Sequence, residues 1–180
     1  VATLPIIDET GRTLPFGSLF ASQRAIVVFI RHFWCPLCQD YLSSVTSLVR
    51  PELLSYDGEK RKSMQLVVIG NGAPGLIKKY RQMIGLPFNM YSDPTLAIYS
   101  ALGMESKSTV VVRRDRGYVK HGSMAGIAVA FVRAIKVGMP VWEKGGNVAQ
   151  LGGEFVLGPG LTCLYAHRMQ SSKGHAPIQD

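Results

Sequence analysis

Ala25-Ile26-Val27-Val28-Phe29-Ile30-Arg31-His32-Phe33-Trp34-Cys35-Pro36-Leu37-Cys38 is the stretch that decides the fold. It is apolar at successive positions up to Phe29, so a strand here hides both faces, as a central strand does. From Pro36 the period changes. Leu37, Tyr41, Val45 and Leu48 recur at i, i+4, i+8 and i+11, and Leu42 and Val49 widen the stripe; this predicts a helix. Proline suits the first helical position, where its missing N–H costs nothing, and Pro51 ends or kinks the helix. The sequence therefore passes from a buried strand straight into a long helix. Cys35 falls at the N-cap, and Cys38 is the third helical residue.

That placement has chemical consequences. A thiolate at Cys35 faces the unpaired N–H groups of the first turn and the positive end of the helix dipole, and both lower a thiol pKa. Cys38 lies one turn on, close enough to close a disulfide. Arg31 lies where the strand emerges, and a cation there stabilises a thiolate. Trp34 flanks the cysteines as an apolar wall. His32 points to the opposite face of the strand and stays out of the site. A closed zinc site needs two more ligands at suitable spacing, but Cys163 and the histidines are scattered singly. Two inert, buried thiols are the bland alternative; the strand-to-helix context favours redox chemistry.

Outward from this centre, residues 1–12 read as a short strand or hairpin edge, and 16–22 as a helical turn. A polar loop at 55–62 leads to a second buried strand at 64–70. A helix at 74–84, a short strand at 88–91 and a helix at 94–102 closed by Gly103 follow. Residues 109–112 are a strand or an apolar lead into a basic loop. A helix at 124–137 carries Ile127, Phe131, Ala134 and Ile135 on one face. Residues 138–151 are a loop, and 154–157 and 161–167 form a hairpin around Gly158-Pro159-Gly160. Cys163 alternates with Leu161, Leu164 and Tyr165, which predicts an ordinary buried thiol. The βαβ order requires a parallel sheet with helices on both faces, and the hairpin adds antiparallel strands. The expected architecture is α/β: a central mixed β-sheet, helices on both faces and a C-terminal β-hairpin. The last dozen residues, 169–180, read as a polar tail.

Composition narrows the classes. With 180 residues, 47 % apolar and 18 % charged, one domain with a sizeable core is expected and disorder is excluded as the main state. No apolar run is long enough for a membrane span. Three cysteines make no disulfide scaffold, and a reducing, cytoplasmic compartment is the default reading. The chain starts at Val1, which leaves room for a removed leader, though no leader pattern is present. The net charge of +8 invites nucleic acid, but the basic residues are spread and not interleaved with aromatics, so a solvated surface is expected.

One competing motif is Gly70-Asn71-Gly72-Ala73-Pro74-Gly75, which fits G-x-G-x-x-G after a strand, with Asp93 at the distance of a dinucleotide fingerprint. Pro74 removes a donor from the phosphate cradle. A complete strand–helix unit precedes the motif, and no second mononucleotide half follows. A dinucleotide-binding module is therefore the weaker reading.

Trp34-Cys35-Pro36-Leu37-Cys38 resembles the Trp-Cys-x-x-Cys site of thioredoxin-like proteins. The segment from Phe29 to Cys38 is similar to the peroxiredoxin-like branch of the alkyl hydroperoxide reductase/thiol-specific antioxidant superfamily. So are Leu66-Val67-Val68-Ile69-Gly70, Tyr91-Ser92-Asp93-Pro94 with Tyr99-Ser100-Ala101-Leu102-Gly103, the run Gly152 to Gly160, and Leu164-Tyr165-Ala166-His167-Arg168. The resemblance implies a thioredoxin-like domain over 1–168. It implies a thiol-dependent oxidoreductase using the Cys35–Cys38 dithiol on a peroxide, endoperoxide or disulfide. Arg31, Trp34 and Pro36 would support the site, with no metal or organic cofactor and a dithiol reductant such as thioredoxin or glutathione as partner. Two placements stay open. Thioredoxin-like reading makes Cys35 the attacking thiol. The peroxiredoxin pattern Pro-x-x-x-Thr-x-x-Cys places Cys38 on the peroxidatic cysteine, Cys35 on the Thr and Arg31 on the Pro. A non-catalytic binding protein on the same fold is the other class.

Overall fold

The computed structural model describes residues 1–54, 64–105 and 123–178. Along the chain these form β1 (Pro5–Ile7), β2 (Thr13–Pro15), a 3-10 turn (Phe16–Leu19), β3 (Arg24–Phe29), α1 (Pro36–Leu48), α2 (Pro51–Leu54) and β4 (Met64–Gly70). A second 3-10 turn (Pro74–Leu76) leads into α3 (Ile77–Ile84). Then come β5 (Asn89–Ser92), α4 (Ala97–Ala101), α5 (Ser123–Lys136), β6 (Gly153–Leu157) and β7 (Cys163–Arg168). The strands make one sheet in the order β2-β1-β5-β4-β3-β6-β7. β3, β4 and β5 run parallel; β6 lies antiparallel on β3, and β7 on β6. The expected mixed sheet with a closing hairpin is what forms. No helix among the described residues is long and apolar enough to cross a membrane.

The unbroken apolar run of β3 explains its central place. Its period-2 alternation sends Ala25, Val27 and Phe29 into one core with Ile6, Phe16, Tyr99 and Phe155. Val28 and Ile30 enter a second core with Cys35, Cys38, Tyr41, Leu42, Ile77, Tyr80 and Ala134. One face of the sheet is thus covered by α1, α3 and α5, the other by the first 3-10 turn and α4. Each large apolar side chain hidden this way contributes about 1.5–3 kcal/mol.

α1 stops at Leu48, ahead of Pro51 as expected, and Pro51 opens the separate α2. Other expectations need correcting. Leu48 itself is exposed, because the last turn of α1 overhangs the core. In α5 the buried face carries Ala130 and Ala134, while Phe131 and Ile135 are more than half exposed: small residues face the neighbouring helices because the helices pack closely there. Cys163 is exposed, not buried. Among the described residues β7 pairs only with β6 at the edge of the sheet, and Leu161, Leu164 and Tyr165 are exposed with it. The strand considered at 109–112 lies outside the described residues. Residues 169–178, read above as a polar tail, fold back on the domain. Met169, Ser172, His175 and Ala176 are buried, and the Met169 amide donates to Gly152 O at 3.0 Å.

The glycine-rich turn after β4 is filled by the protein's own chain. The Ala73 amide donates to Lys144 O at 2.7 Å. A Cβ on Gly72 would fall 2.5 Å from the Phe33 ring and 2.6 Å from the Gly145 backbone. Asp93 is spent as a helix cap, accepting from the Ala97 and Ile98 amides and from Thr95. One donor of the turn and the acid of a dinucleotide fingerprint are therefore already occupied, and the close approach of Phe33 and Gly145 to Gly72 fills the space beside them.

Candidate active site

Strand β3 ends at Phe29, and the chain turns into α1 through Arg31–Cys35. Cys35 is the N-cap of α1 with extended backbone, and Pro36 is the first helical residue. The cap is the thiol itself: Cys35 Sγ accepts the Cys38 amide at 3.4 Å. Arg31 Nη1 donates to the same sulfur at 3.6 Å, and its Nη2 donates to Val148 O at 2.8 Å. Both cysteines are free thiols, 1 % and 0 % exposed. The Cys35 sulfur is thus enclosed at the helix N-terminus and not presented to solvent.

The two thiols are driven apart electrostatically. Cys35 is lowered to about 6, first by the hydrogen bond from the Cys38 thiol, against the opposing effect of burial. The charge of Arg31, the Cys38 amide and His175 add to the lowering. Cys38 is pushed well above the ordinary thiol value, first by burial and then by giving its hydrogen to Cys35. One proton is shared between two sulfurs, with Cys38 keeping it. His32, buried in the turn before Cys35, is lowered to about 4 by burial and by the Arg31 charge, so it adds no cation.

Behind Cys38 lies a group that sequence reasoning missed. Cys38 Sγ accepts the Arg31 amide at 3.4 Å and stands 3.4 Å from His175 Nε2. His175 Nδ1 is 2.5 Å from Glu154 Oε1, and the Ala176 amide donates to Glu154 Oε2 at 3.1 Å. The imidazole stacks on Tyr41 of α1, with centroids 4.1 Å apart and planes at 6°. Glu154 lies on β6 opposite Val28 and is buried. A charged residue at an inward position of an apolar strand demands a partner; that was the signal available for Glu154. His175, in a polar segment, offered none.

Residues 143–150 cover the front of the site. Gly145 O accepts the Phe33 amide at 2.9 Å. Asn71 bridges the turn, donating to Arg31 O at 2.6 Å and accepting the Asn147 amide at 2.9 Å. Trp34, half-buried, packs against this segment so closely that a Cβ on Gly145 would fall 1.8 Å from its Cδ1. Arg31, Trp34, Cys35, Pro36 and Cys38 are therefore gathered in one place, while Cys163 lies on the sheet edge apart from them.

Tyr80 completes the lining. Its ring meets Phe33 edge-on at 5.1 Å, and it is fully buried, its hydroxyl without a hydrogen-bond partner among the described residues. Burial and the two sulfurs raise its pKa well above the ordinary value, so it stays protonated. An unsatisfied buried hydroxyl costs about 1–3 kcal/mol. Tyr80→Phe is accordingly expected to stabilise the reduced protein by about 1 kcal/mol in urea titration; a loss of stability would show that the hydroxyl has a partner after all.

A thiol pair delivered by a central strand to a helix N-terminus, in a mixed sheet with this strand order, defines a thioredoxin-like oxidoreductase fold of the peroxiredoxin kind. The chain belongs to the AhpC/TSA antioxidant enzyme family, whose model matches residues 51–171. It is 32 % identical over 178 residues to human Peroxiredoxin-like 2C, covering 99 % of this chain and 75 % of the relative. It is 28 % identical over 113 residues to the Arabidopsis thaliana thioredoxin-like protein AAED1, chloroplastic, covering 60 % and 41 %. Among solved structures, Xanthomonas campestris peroxiredoxin Q superposes with a TM-score of 0.59 at 12 % identity over 93 % of this chain and 80 % of the other. Mycobacterium tuberculosis peroxidoxin BcpB gives 0.58 at 12 % identity over 94 % and 84 %. These superpositions establish the fold; the family match carries the thiol-dependent antioxidant class.

Proposed function

We propose that this protein is a thiol peroxidase-type reductase in which Cys35 attacks and Cys38 resolves. The observation that carries this is the opposed pair of thiols, Cys35 lowered to about 6 and Cys38 raised, at a helix N-terminus with Arg31 on the attacking sulfur. With a hydroperoxide, the Cys35 thiolate takes the terminal oxygen with its hydrogen, the O–O bond breaks, and the alkoxide takes one proton from solvent and leaves as the alcohol. Cys35 is then a sulfenic acid. Cys38 displaces its hydroxyl as water and forms the Cys35–Cys38 disulfide. A dithiol such as thioredoxin, or glutathione, restores both thiols. Because Cys35 is 1 % exposed beneath residues 143–150, a small hydroperoxide fits this closed site better than a protein disulfide. The exposed, unpaired Cys163 suits a reducing compartment such as the cytoplasm.

The test is the alkylation rate of Cys35 against pH, with the site assigned by mass spectrometry. A lowered thiol is protonated only below its own pKa, so the rate is expected to fall as pH drops through about 6 and to be nearly flat from pH 7 to 8. Burial slows alkylation without moving this midpoint. A midpoint at or above about 8.5, the free-thiol value, overturns the assignment of Cys35 as the attacking thiolate.

A further inference from the structure

We infer that His175, held by Glu154, is the base that takes the proton from Cys38 as the disulfide closes. The inference rests on the proposed Cys35-first reaction and adds to it the group that makes its second step possible. In the resting site the Cys38 hydrogen is directed to the Cys35 thiolate. Once Cys35 carries an oxygen or a mixed disulfide, that charged acceptor is gone. Cys38 then holds a proton in a fully buried place, and a thiol that keeps its proton does not attack.

Among the described residues, the ring nitrogen within hydrogen-bond range of its sulfur is His175 Nε2, at 3.4 Å. Its state follows from the other side of the ring. A carboxylate only accepts, so in the neutral ring Glu154 Oε1 at 2.5 Å keeps the hydrogen on Nδ1, and the Nε2 lone pair then faces Cys38. Glu154 is itself fixed by the Ala176 amide, with His167 at 3.9 Å from its other oxygen. The flat stack on Tyr41 holds the ring plane. The Arg31 amide on Cys38 Sγ stabilises the thiolate as it forms.

The step balances as follows. Nε2 takes the Cys38 hydrogen, and the Cys38 sulfur gives its electron pair to the Cys35 sulfur. The S–S bond forms, the S–O bond breaks, and the hydroxyl leaves as water with the proton from Nε2. Cys38 is oxidised and the sulfenic sulfur is reduced, so His175 is returned unchanged. His175 and Glu154 act through Cys38 and are positioning and proton-accepting groups for it.

The experiment is rapid mixing of reduced protein with hydrogen peroxide. Sulfenic acid at Cys35 is trapped by dimedone and disulfide is counted by mass spectrometry, for the wild type, His175→Gln and Glu154→Gln. His175→Gln is expected to slow disulfide closure at least tenfold more than it slows sulfenic-acid formation. Its closure rate should climb about tenfold per pH unit between pH 6 and 8, since solvent hydroxide must now take the proton. Glu154→Gln should act in the same direction by about three- to tenfold. The ratio of the two steps is internal to each protein, so partial unfolding lowers the amplitude without moving it. Unchanged ratios in both variants overturn the relay and leave the proposed function standing. A wild type that forms no Cys35–Cys38 disulfide overturns the proposed function itself.

Discussion

Cys35→Ser is expected to abolish peroxide turnover, by about three orders of magnitude or more, as removal of an attacking nucleophile does. Cys38→Ser is expected to react once and stop, accumulating sulfenic acid or a mixed disulfide on Cys35, because a serine hydroxyl cannot close the disulfide. The hydroxyl still donates to the Cys35 thiolate, so the first step keeps its rate near pH 7. Cys38→Ala lacks that donor. The hydrogen bond from Cys38 is the largest cause of the lowered Cys35 value, so in Cys38→Ala the alkylation midpoint should move upward. Cys163→Ser, on the edge strand, should leave turnover within about twofold. Intact-mass analysis after one equivalent of peroxide reads all four proteins. Adducts on Cys38 in the Cys35→Ser protein, with none on Cys35 in Cys38→Ser, would reverse the order of attack. That is the order the peroxiredoxin placement of Cys38 implies, and it would make His175 the activator of the first step.

The contrast between what could and could not be read in the sequence follows from contact distance along the chain. The run from Ala25 to Cys38 encodes its own structure locally: an apolar strand, a proline at the first helical position and a cysteine at the cap. Strand β4 and the hairpin were equally local. Cys38 and His175 are 137 positions apart, and nothing in the spacing of the closing segment joins them. Glu154 carried a trace, as an acid between Gly153 and Phe155, and its partner could not be named without the fold. Cys163 failed for the opposite reason. Its neighbours alternate like a buried strand, but exposure is decided by what lies beyond the strand, and β7 is the last of the described strands in the sheet. The helix stripe of α5 failed through size: Ala130 and Ala134 take the close contact, and the larger Phe131 and Ile135 are displaced outward. Asn71 was read inside a glycine pattern, where its side chain was the functional part, tying Arg31 to the segment over the site.

That covering segment makes size selection measurable. Gly145→Ala would place a Cβ 1.8 Å from Trp34 Cδ1, so either the indole turns or residues 143–150 lift. Lifting breaks the Phe33–Gly145 hydrogen bond and the Arg31–Val148 hydrogen bond. Overpacking of this kind costs roughly 1–3 kcal/mol. The cost falls on the closed form and leaves the open form untouched, so the open population rises, about tenfold for each ~1.4 kcal/mol. A reagent that reaches Cys35 only through the open form gains by that factor. A small one that enters the closed site does not. Gly145→Ala is therefore expected to react about tenfold or more faster with a bulky aromatic disulfide, while its rate with hydrogen peroxide stays within about threefold. Equal acceleration toward both reagents would mean that even peroxide waits for the cover to open. No acceleration toward either would mean that Trp34 yields and the cover stays shut, and the preference for small peroxides would then need another cause than residues 143–150.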